Sequence, residues 1–595
     1  MRHLAILPAA LAIALAGCAS SPQAAPSLST PSAPSARSAP APGAAAPDSG
    51  RAAAWADSVL ATLSLRDKAA QMVWPWVLGD WAPDGTDAWT RTVDWVEKDH
   101  VGGVIISVGP PLEIAEKLNA LQRRSAGPLL VGSDFETGAG FRVRAGWFLP
   151  NGIDLGGATV FPPNMALGAT RDTSLAYEQG RITAIEGRAL GVHFAFAPVL
   201  DVNNNPDNPV IGARSYGEDP ALVAAMGRNL VRGIQAEGMI ATGKHFPGHG
   251  DTDVNSHLAL PVVDVSRARL DSVELVPFRA AVAAGVGAMM TFHGAMPALD
   301  STGVPGTLSA NVLTALLRED MGFHGLVISD AMDMRGVVDT YGAVEAAKRA
   351  VAAGNDVLLM PSNVAETIDA VVAGVREGRY PEARLDASVR RLLATKERLG
   401  LHRARTVPLD SVRAHVGVPA HLDVARRIAE RAITLVRDEG KQLPLKTGAE
   451  GPRVLVVTYT RRADLGAGTA FVAELRRHLP RVAARTVTVE DPATDFARLA
   501  AEADSADVVI VGTYATQSWD QAATTGAPSS FVGFVRGLAA RGNGPVVVSF
   551  NNPYELRQVP EVRTYVVAYG GAPVLQTAAA RALVGQLPFA GQLPR

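Results

Sequence analysis

GLVISDA, residues 325–331, is a nearly unbroken apolar run that ends on an acid. A strand with one wet face alternates apolar and polar residues. This run does not, so it reads as a strand covered on both faces. Seven other runs share the pattern: QMVWPW (71–76), GGVIISVG (102–109), PLLVGSD (128–134), HFAFAPVLDV (193–202), MIATGKH (239–245), GAMMTFHG (287–294) and DVLLMPS (356–362). Helical stretches such as LEIAEKLNALQRR (112–124) and ELVPFRAAVAAG (274–285) lie between most of them. Apolar strands alternating with helices predict a parallel sheet covered by helices, and eight such units predict a (β/α)8 barrel.

The C-terminal ends of these runs collect polar residues: Asp134, Asp201, Lys244, His245, His293 and Asp330. Barrel active sites lie at that face. A polar residue that merely ends a strand accounts for one or two of them, but less well for the set.

The rest of the chain divides around this barrel. The opening MRHLAILPAALAIALAGCAS has a basic start, an apolar run and then small residues, the pattern of a secretory signal peptide, expected over 1–18. Cys18 is the only cysteine, so no intrachain disulfide can form. Residues 19–50 are rich in Pro, Ala and Ser, lack large apolar side chains and read as a disordered tether. The barrel is expected over 51–400, a connecting helix (VARRIAERAITLV, 424–436) and linker over 401–450, and a second α/β domain over 451–595. That domain shows strand-like RVLVVTY, ARTVTVE, ADVVIVGTY, PVVVSF and TYVVAY, predicting an α/β/α sandwich. DLGAGTAF (464–471) imitates a dinucleotide fingerprint, but Phe471 stands where the third glycine belongs. With 56 basic and 58 acidic residues, the charge balance gives no reason to expect a nucleic-acid partner.

The densest polar stretch is GKHFPGHGDTDVNSH (243–257). His245 and His249 have zinc-helix spacing, but Pro247 and Gly248 between them work against a helix. Asp251, Asp253 and Asn255 imitate the start of a calcium loop, which would need glycine and glutamate where Ser256 and Val262 stand. What remains is a glycine-rich loop after a strand, with Lys244 and His245 able to donate to hydroxyl groups. No metal or organic cofactor is expected.

KHFPGHGDTDVNSH, together with VISDAMDM (327–334), resembles bacterial β-N-acetylglucosaminidases of glycoside hydrolase family 3, over roughly residues 55–400. The resemblance implies a retaining, exo-acting enzyme with Asp330 as nucleophile and His257 as general acid/base. FAPVLDVNNNPDNPVIGARSYGEDP (196–220) is similar to the segment that supplies a sugar-binding arginine, here Arg214. SDFETGAGFRV (133–143) is similar to the family's D-x-E-G-G-x-V-x-R segment and implies sugar contacts from Asp134 and Arg142. Lys244 and His245 carry over as further sugar ligands. Thr137 and Ala139 depart from the glycine segment, and roughly ten extra residues follow within 145–159. Asn255 stands where the family has an aspartate two positions before the acid/base histidine, and is expected to orient His257.

LAGC, ending at Cys18, resembles the bacterial lipoprotein box, which implies a lipidated cysteine and a membrane anchor at the cell envelope. The substrate implied is an N-acetylglucosamine-containing oligosaccharide of cell-wall (muropeptide) or chitin type. A family 3 phosphorylase or β-glucosidase, or a catalytically weak sugar-binding lipoprotein, remain alternatives.

Overall fold

The computed structural model describes residues 49–144, 156–490, 496–514, 527, 529–542 and 544–595. Cys18, the signal segment and the tether up to residue 48 lie outside the described residues.

The barrel closes through QMVWPW. Its two halves are β1 (Val73–Trp74) and β2 (Trp76–Leu78), separated by Pro75. They are followed by β3 (Gly103–Ser107), β4 (Leu130–Ser133), β5 (Phe194–Ala195), β6 (Ile240–Phe246), β7 (Ala288–Thr291), β8 (Leu326–Ala331) and β9 (Val357–Leu359). The strand order is β1-β9-β8-β7-β6-β5-β4-β3-β2, with every pairing parallel. Trp74 registers with Leu359, and Trp76 with Ile105. Because β1 and β2 are consecutive in the chain, the sheet is a ring of eight βα units. Proline has no N–H to give to a ladder, so it suits the changeover, and its carbonyl accepts the Ile105 N–H at 2.9 Å.

Aromatic and branched side chains fill the ring. Trp74 and Phe194 meet edge to face at 5.4 Å, with Ile105, Phe196, Met290 and Ile328 buried in the same core. The outer helices follow their sequence signals. Pro220 opens the helix Pro220–Ala236, and Asp219 caps it by accepting from the Ala221 N–H. Leu222, Val223, Met226, Leu230, Val231 and Ile234 form its buried stripe. It lies tightly against the helix Thr173–Ala189. A Cβ on Gly233 would sit 2.1 Å from the Tyr177 carbonyl oxygen, and one on Gly180 would sit 2.5 Å from that of Leu230.

The second sheet has the order β10-β15-β14-β13-β11-β12. Its strands are β10 (Thr434–Asp438), β11 (Val454–Thr460), β12 (Val482–Thr488), β13 (Val508–Thr513), β14 (Val546–Ser549) and β15 (Thr564–Val567). Helices such as Thr469–His478 and Pro573–Leu583 pack on it, completing the α/β sandwich. One expectation is corrected here. VARRIAERAITLV is not one helix: the helix Pro419–Ala432 stops, and Thr434–Asp438 runs antiparallel to β15. The helical stripe Val424, Ala425, Ile428, Ala429 and Ala432 ends where β-branched Ile433, Thr434 and Val436 begin. Such side chains are stiff in helices and suit a strand. No glycine or proline marks the boundary. At DLGAGTAF the helix begins after Gly468, and the Gln576 side chain accepts from the Phe471 N–H at its first turn.

The sandwich braces one barrel loop. Asn203 donates to the Tyr554 hydroxyl at 2.9 Å, Asp207 pairs with Arg557 at 3.1 Å, and the Glu218 N–H donates to the Pro594 carbonyl at 2.8 Å. All three barrel residues lie on the loop that carries Arg214.

Candidate active site

A cavity of about 310 Å³ opens at the C-terminal ends of the barrel strands. Asp134, Arg142, Arg214, Lys244, His245, His257 and Asp330, from four separate stretches of sequence, all line it. Asn255 is not in the lining but is bonded to His257.

One wall is a network of charges. The Asp134 carboxylate takes Arg142 on one oxygen and Lys244 on the other, each at 3.0 Å. Lys244 also reaches Glu136 at 2.7 Å. Arg214 grips Glu136 with two nitrogens, at 2.6 and 2.9 Å, a bidentate geometry that fixes the guanidinium plane. Burial opposes ionisation of both carboxyls. Lys244 and Arg142 nevertheless hold Asp134 below its usual range, and Arg214 and Lys244 hold Glu136 well below. Burial likewise opposes the Lys244 ammonium, and Asp134 and Glu136 more than offset it. The wall is a charged set fixed in place before a ligand arrives.

Asp201 organises the strand end beside it. It accepts from His245 Nδ1 at 2.7 Å, from the His245 N–H at 3.2 Å and from the His249 N–H at 2.7 Å. His249 is fully enclosed. Its ring nitrogens meet Thr252 Oγ1 and Ser256 Oγ, each at 3.0 Å, and burial pushes its pKa down to about 3. It therefore ties the strand end, as a neutral ring, to the residue just before His257. The Asn208 amide donates to the carbonyls of His249 and Gly250, both at 2.8 Å, joining the Arg214 loop to this turn.

Asp330 is the last residue but one of β8, with its Oδ1 accepting the Ala331 N–H at 2.8 Å. Burial would raise its pKa, but His245, His293, His257 and the Ala331 N–H together hold it below the usual carboxylate range. It is an anion at neutral pH. His293 is locked between Thr307 Oγ1 at 2.7 Å and the Ala331 carbonyl at 2.9 Å. The backbone N–H of His257 needs an acceptor and finds Asn255 Oδ1 at 3.0 Å, which fixes the amide's orientation. The same oxygen lies 3.0 Å from His257 Nδ1, so in the neutral ring Nδ1 carries the proton and Nε2 is unprotonated. Burial lowers the His257 pKa, only partly countered by Asp330. Among the described residues, no group of three or more His, Cys, Asp or Glu side chains is arranged to hold a metal ion.

Sequence reasoning assigned no role to Glu136, which anchors both Arg214 and Lys244. It lies inside SDFETGAGFRV, two residues after Asp134, so the signal was present. Asp201 and His249 were visible only as a strand end and a member of the histidine-rich stretch. Asp333 also lines the cavity, with burial and the nearby Asp330 raising its pKa.

A (β/α)8 barrel with a charged cavity at its C-terminal strand ends, joined to an α/β sandwich, defines a barrel enzyme. The glycosyl hydrolase family 3 N-terminal domain matches residues 64–395, and the chain belongs to glycoside hydrolase family 3. It is 34% identical over 524 residues to a β-N-acetylglucosaminidase/β-glucosidase of Cellulomonas fimi, covering 83% of this chain and 88% of that one. It is 33% identical over 386 residues to β-hexosaminidase A of Pseudoalteromonas piscicida, covering 60% and 62%. Among solved structures, a family 3 β-N-acetylglucosaminidase from Paenibacillus sp. FPU-7 superposes with a TM-score of 0.78 at 36% identity, covering 90% of this chain and 99% of that one. A β-glucoside phosphorylase superposes with a TM-score of 0.79 at 26% identity, covering 91% and 96%.

Proposed function

We propose that the protein is a retaining, exo-acting β-N-acetylglucosaminidase that removes terminal N-acetylglucosamine from cell-wall fragments or chitin-type oligosaccharides. The observation that carries this reading is the shared cavity, in which an ionised carboxylate at a strand end and a loop histidine stand beside a fixed set of charged hydrogen-bonding groups. The names of the relatives support the sugar.

In the first step an Asp330 oxygen attacks the anomeric carbon as the bond to the leaving oxygen breaks, and protonated His257 gives its Nε2 proton to that oxygen. In the second step the bare Nε2 takes a proton from water, which attacks the anomeric carbon and displaces Asp330. Retaining glycosidases commonly use two carboxyl groups for these roles. An imidazole serves instead because it exchanges a proton near neutral pH. Asp134, Arg142, Arg214, Lys244 and His245 hold the sugar hydroxyls.

Phosphorolysis is the second reading, supported by the likeness to a β-glucoside phosphorylase and by a His257–Asn255 pair that brings no negative charge to repel phosphate. Aryl β-N-acetylglucosaminide and aryl β-glucoside, each assayed with and without phosphate, separate the two. Free N-acetylglucosamine as product supports hydrolysis, and a sugar 1-phosphate supports phosphorolysis. Failure to turn over either glycoside would favour a sugar-binding protein.

The LAGC box at Cys18 supports attachment to the cell envelope through a lipid, with the enzyme held on its tether.

A further inference from the structure

A second cavity, of about 720 Å³, opens at the opposite end of the barrel. Its walls include residues that lead into strands: Gln71 precedes β1, Val101 precedes β3 and Pro128 precedes β4. It shares no residue with the sugar-facing cavity.

Part of the lining is apolar, from Trp55, Leu63 and Leu393. The rest is basic. Lys396 is only 2% exposed, and its ammonium donates to Gln71 Oε1 at 2.6 Å. An ammonium has three donors, and one neutral acceptor leaves its charge poorly compensated. Burial accordingly pulls its pKa down to about 7. His402 lies beside Trp55, the rings tilted by 35° with centroids 5.4 Å apart. Arg403 Nε donates to His402 Nε2 at 3.0 Å, so the proton of the neutral ring sits on Nδ1. That Nδ1 is buried and has no hydrogen-bond partner among the described residues. Arg405 adds a further positive charge. The acid in the lining, Asp67, is already engaged by Ser64 and His100. The cavity thus offers donors and positive charge that its own acceptors do not match, beside an apolar wall. Its volume is typical of small-molecule sites.

We propose that this cavity binds a small amphiphilic carboxylate, with its charge on Lys396 and His402 and its apolar body against Trp55. Packing alone does not explain Lys396. A methionine would occupy similar volume without a buried charge, and replacing buried ions by apolar residues often stabilises a fold. A poorly compensated ammonium lining a cavity is the kind of group that a binding site uses.

The test uses 4-phenylbutanoate as probe, its amide as an uncharged control, and calorimetry on the intact protein. We expect one saturable site for the acid, at least about tenfold weaker binding of the amide, and a similar loss for the acid on Lys396→Met. Ligand-free Lys396→Met should unfold at the same or a higher temperature than wild type. His402→Phe keeps the ring against Trp55 but removes the Nδ1 donor, and should also weaken the acid. Absence of saturable binding to wild type, equal binding of acid and amide, or unchanged binding by both variants would overturn the proposal. A Lys396→Met protein that unfolds at a lower temperature would also overturn it, by showing the lysine to be structural.

Discussion

Asn255 Oδ1 accepts both the backbone N–H and the Nδ1–H of His257, each at 3.0 Å. A carboxylate there would make the same two bonds and add a negative charge, which stabilises imidazolium. The asparagine fixes the tautomer without that charge. Burial already draws the His257 pKa below its usual value. The acid form needed in the first step is therefore scarce at neutral pH, and kcat/KM falls as pH rises through that pKa. Asn255→Asp should move this alkaline limb upward by about one pH unit. Profiles on a substrate with a poor leaving group check it; coincident limbs would show that residue 255 does not couple to the acid.

Glu136 neutralises two cations, the half-buried Arg214 and the buried Lys244. Glu136→Gln keeps the shape but removes the carboxylate that Arg214 and Lys244 share. Breaking a buried pair costs on the order of 3 kcal/mol. We expect a loss of that size in denaturant unfolding, and a higher KM because the sugar-facing cations lose their fixed positions. A loss below about 1 kcal/mol would place the pair with exposed salt bridges instead.

Much of the barrel was legible because β3 to β9 are buried on both faces and their side chains say so, as in VIIS and LVIS. Less legible was the split of QMVWPW into two pairings, since Pro75 marks a break but not which neighbour each half takes. β10 was hidden because Ile433, Leu435 and Val436 continue the apolar content of the preceding helix. Asp134, Lys244 and Asp330 stood out because they fall at the C-terminal ends of apolar runs. Glu136 did not, because its importance comes from two cations that arrive from distant segments and meet only when the barrel closes.

His249 makes stability depend on pH. Its ring is held neutral between Thr252 and Ser256, with a pKa of about 3, whereas an unfolded chain's histidine titrates near ~6.5. The unfolded state thus binds more protons between those values, so stability is complete above about 6.5 and declines as pH falls toward about 3. His193, His257 and His293 are displaced in the same direction. Thermal midpoints should drop between about pH 7 and pH 5, and more gently in His249→Gln, which removes one of these groups. Parallel slopes in the two proteins would show that His249 does not contribute.

Cys18→Ala should abolish lipidation. Fractionation of cells producing wild type and variant should find the wild type in the membrane and the variant as precursor or released protein. Unchanged membrane association of the variant would refute the anchor.

The roles proposed for Asp330 and His257 meet in one experiment. A dinitrophenyl leaving group departs without a proton, so His257→Ala should still form the glycosyl-enzyme from dinitrophenyl β-N-acetylglucosaminide. Without its base, the variant should hydrolyse that intermediate slowly. Peptide mapping of the quenched reaction should therefore find an N-acetylhexosamine ester on Asp330, absent from the Asp330→Asn/His257→Ala protein. An ester on another residue, or full turnover by His257→Ala with no accumulated ester, would contradict the account.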